Sequence, residues 1–418
     1  MTVPAFFTKN NEGRDNMKKK LGIWALAAAL TVTSGLTASE AKADEGNGSD
    51  LASMTTGGHT LTLEGSMPRF TYDSGLNFSY PEEGVKGIYV TGHSAGGDRM
   101  DKLIDLADST DLNAMVIDIK DDHGNLTFSV PEGSDLPDIG KNMIKDPEAL
   151  MKKLEEHDIY PIARITAFKD NVLAKKHPEY SYQTSGGDTW SNGSGHMFTN
   201  PFMKEVWDYN LQIAEEAARL GFQDIQFDYI RFPEGFETRE DQLTYSTGDY
   251  DSGDDNVQER VDAVTDFVAY SEETLQTKYN VNVSADIFGY SATQERAPGI
   301  GQDFRLISEN VDVISSMIYP SHWGSGYFNI DKPDTKPYEV IDAYAKAETK
   351  ILSSLEEQPI TRPWIQDFTA SYLGSGNYLQ YGSTEVEAQI QALQDNGIEE
   401  YLLWDAQNSY SKGTDYTP

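Results

Sequence analysis

FMKEVWDYNLQIAEEAARL, residues 202–220, runs into GFQDIQFDYIRFP, residues 221–233, and the fold turns on that passage. The first part carries apolar residues at three-and-four spacing, the pattern of an amphipathic helix. Asn200-Pro201 sets a capping side chain before a first-turn proline, and Gly221 follows where a left-handed cap is expected. The second part holds a short β-rich run, Ile225–Tyr229 (IQFDY), with one acid, Asp228, inside it. A helix that feeds a short apolar strand is the repeating unit of a parallel α/β fold.

Working outward, seven further β-rich runs share that character. They are Gly87–Val90, Met115–Ile119, Tyr160–Ile165, Val283–Ile287, Val313–Tyr319, Pro363–Phe368 and Tyr401–Trp404. Helical periodicity recurs over Pro147–His157, Val257–Tyr279, Tyr338–Ala347 and Thr384–Asn396. Eight such runs predict a (β/α)8 TIM barrel over residues 84–415. The competitor is an open doubly wound sheet, but no Gly-x-Gly-x-x-Gly follows the first run. The longest insertion is expected after strand 4, between Phe232 and Asn256, and it is acidic. Asp249, Asp251, Asp254 and Asp255 there fail the EF-hand spacing, because Arg260 stands where the closing Glu belongs; a solvated loop is expected.

The N-terminus reads as an address. Met17-Lys18-Lys19-Lys20 is a basic n-region, Leu21–Leu30 a short apolar h-region, and Ala41-Lys42-Ala43 a small-x-small cleavage site. Met17 is the expected initiator, and the apolar run is too short to span a bilayer. Residues 44–83 read as a linker with one short β hairpin. The expected location is secreted or extracellular, including association with the cell wall.

Composition narrows the chemistry. The 418 residues include no cysteine, which excludes disulfides, thiolate metal sites and a thiol nucleophile. With 68 acidic and 33 basic residues the net charge is -35, which opposes nucleic acid or anionic lipid as a partner. No cofactor and no metal are expected, no membrane contact after signal cleavage, and a monomer is expected.

In a barrel the active site forms at the carboxyl ends of the strands. Those ends supply His93; Asp118, Lys120 and Asp121; Arg164 and Lys169; Asp228 and Arg231; Asp286; Tyr319, His322 and Trp323; Gln366 and Asp367; and Asp405. Asp228 and Asp286 sit inside apolar runs on strands 4 and 5, where an acid is costly unless used or paired. Neighbouring strand ends lie about 5 Å apart. Two carboxyls there can flank one glycosidic bond, one attacking or activating water and one protonating the leaving oxygen. Each also has a structural reading as a partner for Arg164 or Arg231. Asp118 and Lys120 are expected on one strand face, as an ion pair at the mouth. The aromatic residues Tyr319, Trp323 and Trp404, beside His322 and Asp405, suit sugar stacking, although core packing also accounts for them. Gly92-His93-Ser94-Ala95-Gly96 fits Gly-x-Ser-x-Gly but follows the first strand, not mid-sheet.

FDYIRFP at Phe227–Pro233, VIDIKDDHG at Val116–Gly124, MIYPSHW at Met317–Trp323 and LLWDA at Leu402–Ala406 resemble a glycoside hydrolase family of bacterial TIM-barrel proteins, formerly a domain of unknown function. The chain is also similar to the alpha-amylase and alpha-galactosidase barrel superfamilies. The resemblance implies a barrel that hydrolyses O-glycosyl bonds, with Asp228 in the place of the strand-4 nucleophile. In those superfamilies the acid/base lies on strand 5 or on strand 6; strand 6 here offers no carboxylate at its end, which favours Asp286 on strand 5, although an Asp is less usual there than a Glu. The expectation is therefore a secreted glycoside hydrolase in which Asp228 and Asp286 are catalytic. Asp118, Arg164, Arg231, Tyr319, His322, Trp323 and Asp405 would bind substrate. The alternatives are a non-catalytic glycan- or cell-wall-binding barrel and a metal-dependent hydrolase on Asp118, Asp121 and His123.

Overall fold

The structure, a computed structural model, describes the backbone of residues 52–56 and 59–63, and residues 72–417 except Asp135, Pro137, Ser252, Asp254 and Glu295. The signal segment expected at residues 17–43 lies outside the described residues. The chain divides into two compact units, Met1–Pro68 and Arg69–Pro418. In the first, Ala52–Thr56 pairs antiparallel with His59–Leu63, with Ala52 opposite Leu63.

The second unit is a closed parallel barrel. Its strands are β1 (Lys86–Val90), β2 (Ala114–Lys120), β3 (Tyr160–Thr166), β4 (Asp224–Asp228), β5 (Asn282–Phe288), β6 (Val313–Met317), β7 (Trp364–Gln366) and β8 (Tyr401–Trp404). Each pairs in parallel with the next, and β8 returns to β1 through Leu403 opposite Ile88. A helix follows each of the first seven strands: α1 (Arg99–Asp108), α2 (Pro147–Glu156), α3 (Lys204–Leu220), α4 (Asn256–Tyr279), α5 (Phe304–Ser308), α6 (Pro337–Leu352) and α7 (Ser383–Gln394). Of the capping signals read from the sequence, the glycine at the end of α3 acts as expected but Asn200 does not cap its start: α3 begins after Met203 with no side-chain cap, and Asn200 Oδ1 accepts from Phe202 N at 3.2 Å, outside the helix. Asp146 accepts from Ala149 N at α2, Asp255 from Val257 N and Gln258 N at α4, and Gly221 closes α3 at φ 106.

Strand alternation sorts the core into two layers. Outward residues such as Phe227 pack on the helices, with its ring 5.3 Å from Phe267 of α4. Burying one such side chain contributes roughly 1.5–3 kcal/mol. Inward residues fill the lumen with Tyr89, Val116, Ile162, Tyr319, Trp364 and neighbours. The floor is polar but satisfied. Arg362 donates to Asp224 Oδ2 at 2.8 Å, Glu400 Oε2 at 2.7 Å and Tyr80 Oη at 3.0 Å.

Two excursions crown the carboxyl end. The longer follows β3, not β4 as the sequence suggested, and runs from Ala167 to Met203. It meets the acidic segment after β4 in a two-residue pairing, Leu243 opposite Thr184 and Thr244 opposite Gln183. In that acidic segment Asp249 pairs with Lys204 on the surface. The Gly-x-Ser-x-Gly run is a helical turn, Gly92–Ala95, capped by Thr91.

Candidate active site

Four neighbouring strands each send one inward side chain to the carboxyl end of the lumen. Asp118 of β2 lies opposite Arg164 of β3. Thr166 of β3 lies opposite Asp228 of β4, and Ala285 of β5 opposite Phe227, which brings Asp286 beside Asp228 in register. All four, Asp118, Arg164, Asp228 and Asp286, are buried.

Arg164 organises the cluster. Its Nη1 donates to Asp118 Oδ1 at 2.6 Å, its Nη2 to Asp122 Oδ1 at 2.8 Å and to Asp228 Oδ2 at 2.6 Å, and its Nε also to Asp228 Oδ2 at 3.0 Å. A guanidinium is a rigid planar fork of donors, so three carboxylates are fixed relative to one another. The other oxygen of Asp228 accepts the Tyr229 N–H at 2.6 Å. Tyr229 itself adopts φ 53, an uncommon conformation for a bulky residue and one that carries strain.

Asp286 stands apart. No Lys or Arg among the described residues forms an ion pair with it; its Oδ1 accepts the Trp364 indole N–H at 2.7 Å. Burial, and then the charge of Asp228, push its carboxyl well above the usual carboxylate range. Burial likewise pushes Asp118 up to about 6, against the opposing pull of Arg164 and of the Tyr89 hydroxyl at 2.6 Å. Burial also disfavours the charge on Asp122, but Arg164 and Lys169 overcome it and hold that carboxyl below the usual range. The cluster thus sets Asp228, which accepts two bonds from Arg164, beside Asp286, whose burial favours its neutral form. Such a pair can supply a nucleophile or base and a proton donor.

The other expected residues lie around this centre. Tyr319 is buried in the lumen, 4.9 Å from the His322 ring and 6.4 Å from the Trp404 ring. His322 is exposed at the rim. Trp323 packs outward, against Tyr344 of α6 at 5.9 Å, and is not brought to the cluster. Asp405 binds the backbone N–H groups of Gln407 and Ser409 at 3.1 and 2.8 Å. It lines a cavity of about 500 Å3 with Asp367, Phe368, Tyr381 and Trp404. Trp404 stacks on Tyr89 at 4.1 Å, so that cavity adjoins the carboxyl cluster. Among the described residues Arg231 pairs with Glu234 and not with Asp228 or Asp286, and it lines a smaller cavity with Lys169 and Tyr229.

One expectation is corrected. Asp118 and Lys120 do not share a face. The β2–β3 register shifts between them, which turns Lys120 outward to Asp170 at 2.7 Å and Asn210 at 2.9 Å beneath α3. Asp121, which the metal-dependent alternative required, is spent on its own turn, accepting from His123 N and Asn125 N at 2.9 Å each. Among the described residues no group of three or more His, Asp or Glu side chains is arranged to hold a metal ion. Three residues of the cluster went unread: Asp122, Tyr89 and Trp364. Asp122 was visible as the second acid of the Asp121-Asp122 pair; nothing in the sequence marked the other two.

A family model described as "Putative glycosyl hydrolase domain" matches residues 87–410. No curated protein matches the chain. Among solved structures, a hypothetical protein from Ruminiclostridium thermocellum is 32% identical, over 48% of this chain and 96% of that one, with a TM-score of 0.40. The PgaB (BpsB) glycoside hydrolase domain from Bordetella bronchiseptica is 14% identical, over 77% of this chain and 94% of that one, with a TM-score of 0.52. That second likeness is one of fold.

Proposed function

The chain belongs to this glycosyl hydrolase family, and from that premise we propose that it is a secreted enzyme that cleaves a poly- or oligosaccharide with the carboxyl pair Asp228 and Asp286. Asp228, oriented by Arg164, acts as nucleophile or base. Asp286 gives its proton to the leaving oxygen. One observation carries this reading: two inward carboxyls on adjacent strands share one end of the lumen, and only Asp228 has an arginine partner. A general acid must be protonated at working pH, and the surroundings of Asp286 favour its neutral form. Asp118 and Asp122 balance Arg164 and Lys169, and Tyr319, His322 and Asp405 contribute rim groups for sugar hydroxyls. Secretion rests on the leader pattern of residues 17–43.

A second reading, a non-catalytic glycan- or cell-wall-binding barrel, is favoured by burial. Asp228 is 5% exposed and Asp286 is 1% exposed, so hydrolysis requires the rim to admit a sugar ring to them. Incubating the secreted protein with a panel of cell-wall and exopolysaccharide glycans separates the two. New reducing ends, absent with Asp228→Asn, support the hydrolase; retention on a glycan without cleavage supports the binding protein.

A further inference from the structure

Beside the carboxyl cluster, where the excursions after β3 and β4 meet, lies a cavity of about 220 Å3 lined by Lys169, Trp190, Asn192, His196, Tyr229 and Arg231 among others. Its chemistry is opposite to that of the chain, whose net charge is -35. Arg231 is only 6% exposed and is flanked by rings, with Tyr229 and Phe288 each at 4.8 Å. Of a guanidinium's five N–H donors, two make bonds among the described residues, to Phe232 O and to Glu234 Oε1, each at 3.2 Å. Lys169 lies 4.4 Å from the centre of the same Tyr229 ring and donates to its hydroxyl at 3.2 Å and to Asp122 at 2.8 Å. A third cation, Arg239, covers the Trp190 ring at 5.4 Å. His196 is held below its usual range by burial, then by the charges of Lys169 and His123. The left-handed backbone of Tyr229 follows directly on Asp228, so this cationic ring platform and the reactive carboxyl come from adjacent residues.

We propose that this cavity is a subsite for a sugar that carries a single carboxylate, of the uronic-acid type, held by Arg231 with Lys169 beside it. The role as a subsite rests on the hydrolase reading. Glu234 shows where the carboxylate sits, because the chain's own acid already occupies that side of Arg231. Glu234 is 70% exposed, and such exposed pairs are weak and easily displaced. A planar carboxylate matches the remaining donors of a guanidinium fork, and Trp190 and Tyr229 supply apolar faces for the ring. The volume suits one sugar unit, not a chain. The strongly negative field of the whole protein disfavours a polyanion, so the acidic sugars of the substrate are isolated along it.

The test is calorimetric titration of the full chain with glucuronic acid, with glucose and with inorganic sulfate. Glucuronic acid is expected to bind at least tenfold more tightly than glucose. Arg231→Gln removes that preference, and Arg231→Lys keeps part of it. Glu234→Gln, an exposed change that leaves the fold intact, tightens glucuronic acid by removing its competitor. Equal binding of glucuronic acid and glucose, or no response to Glu234→Gln, overturns the proposal. Sulfate binding as tight as glucuronic acid also overturns it, since the site would then take free anions. Preference for glucuronic acid in Asp228→Asn, with no glycan cleaved by any form, would sink the hydrolase reading alone. Cleavage of neutral glycans without that preference would sink this proposal alone.

Discussion

Trp364 of β7 donates its indole N–H to Asp286 Oδ1 of β5 at 2.7 Å, reaching across β6 through the lumen. An indole only donates, so Oδ1 accepts. A donor also favours the charged carboxylate, so removing it raises the pKa of Asp286 further. If Asp286 is the proton donor, activity falls as pH rises through that pKa. Trp364→Phe should therefore move the alkaline limb of the kcat/KM profile to higher pH and slow turnover by about tenfold. An unmoved limb would detach this hydrogen bond from the reaction.

Asp367 gives a pH-dependent stability. Burial pushes its carboxyl up to about 6, whereas an unfolded Asp titrates near 3.9. Between those values the folded chain binds more protons than the unfolded chain. Stability contributed by this group thus falls as pH rises from about 4 through about 6, then levels. Asp367→Asn removes the slope, and relative to the parent should gain up to about 3 kcal/mol between pH 4 and pH 7. Urea unfolding at the two pH values measures it; an identical pH response in both proteins would contradict the assignment.

Arg362 should matter for folding and not for chemistry. It sits at the floor of the barrel, fully buried between Asp224 and Glu400. Arg362→Met leaves two buried carboxylates without their cation, which costs about 3–5 kcal/mol. The kcat/KM of the folded fraction should be unchanged. A loss of kcat/KM at unchanged stability would place function at the wrong end of the ring.

The eight strands were legible because each is a short apolar run bounded by polar turns, and the structure moves their ends by a residue or a few. β7 narrows to Trp364–Gln366, and Ile360–Thr361 pairs separately with β6. Helix α1 was missed although Met100, Leu103, Ile104 and Ala107 carry the right spacing and are buried. Helix α5 is five residues long, below any periodicity window. Asp228 and Asp286 were legible because an acid in an apolar strand needs a reason. Lys120 was misassigned because a register shift leaves no mark in composition, and one residue of shift reverses every face after it. Tyr89 reaches Asp118 from the adjacent strand β1, and Trp364 reaches Asp286 across the lumen from β7, pairings that composition does not mark.

The most direct measurement pairs Asp228→Asn with Asp286→Asn on whichever glycan the intact protein cleaves. Release of reducing ends is followed alongside thermal unfolding. The expected result is a loss on the order of 10³-fold or more in kcat for each variant, with folding retained. Undiminished cleavage by either folded variant would contradict a mechanism built on this pair.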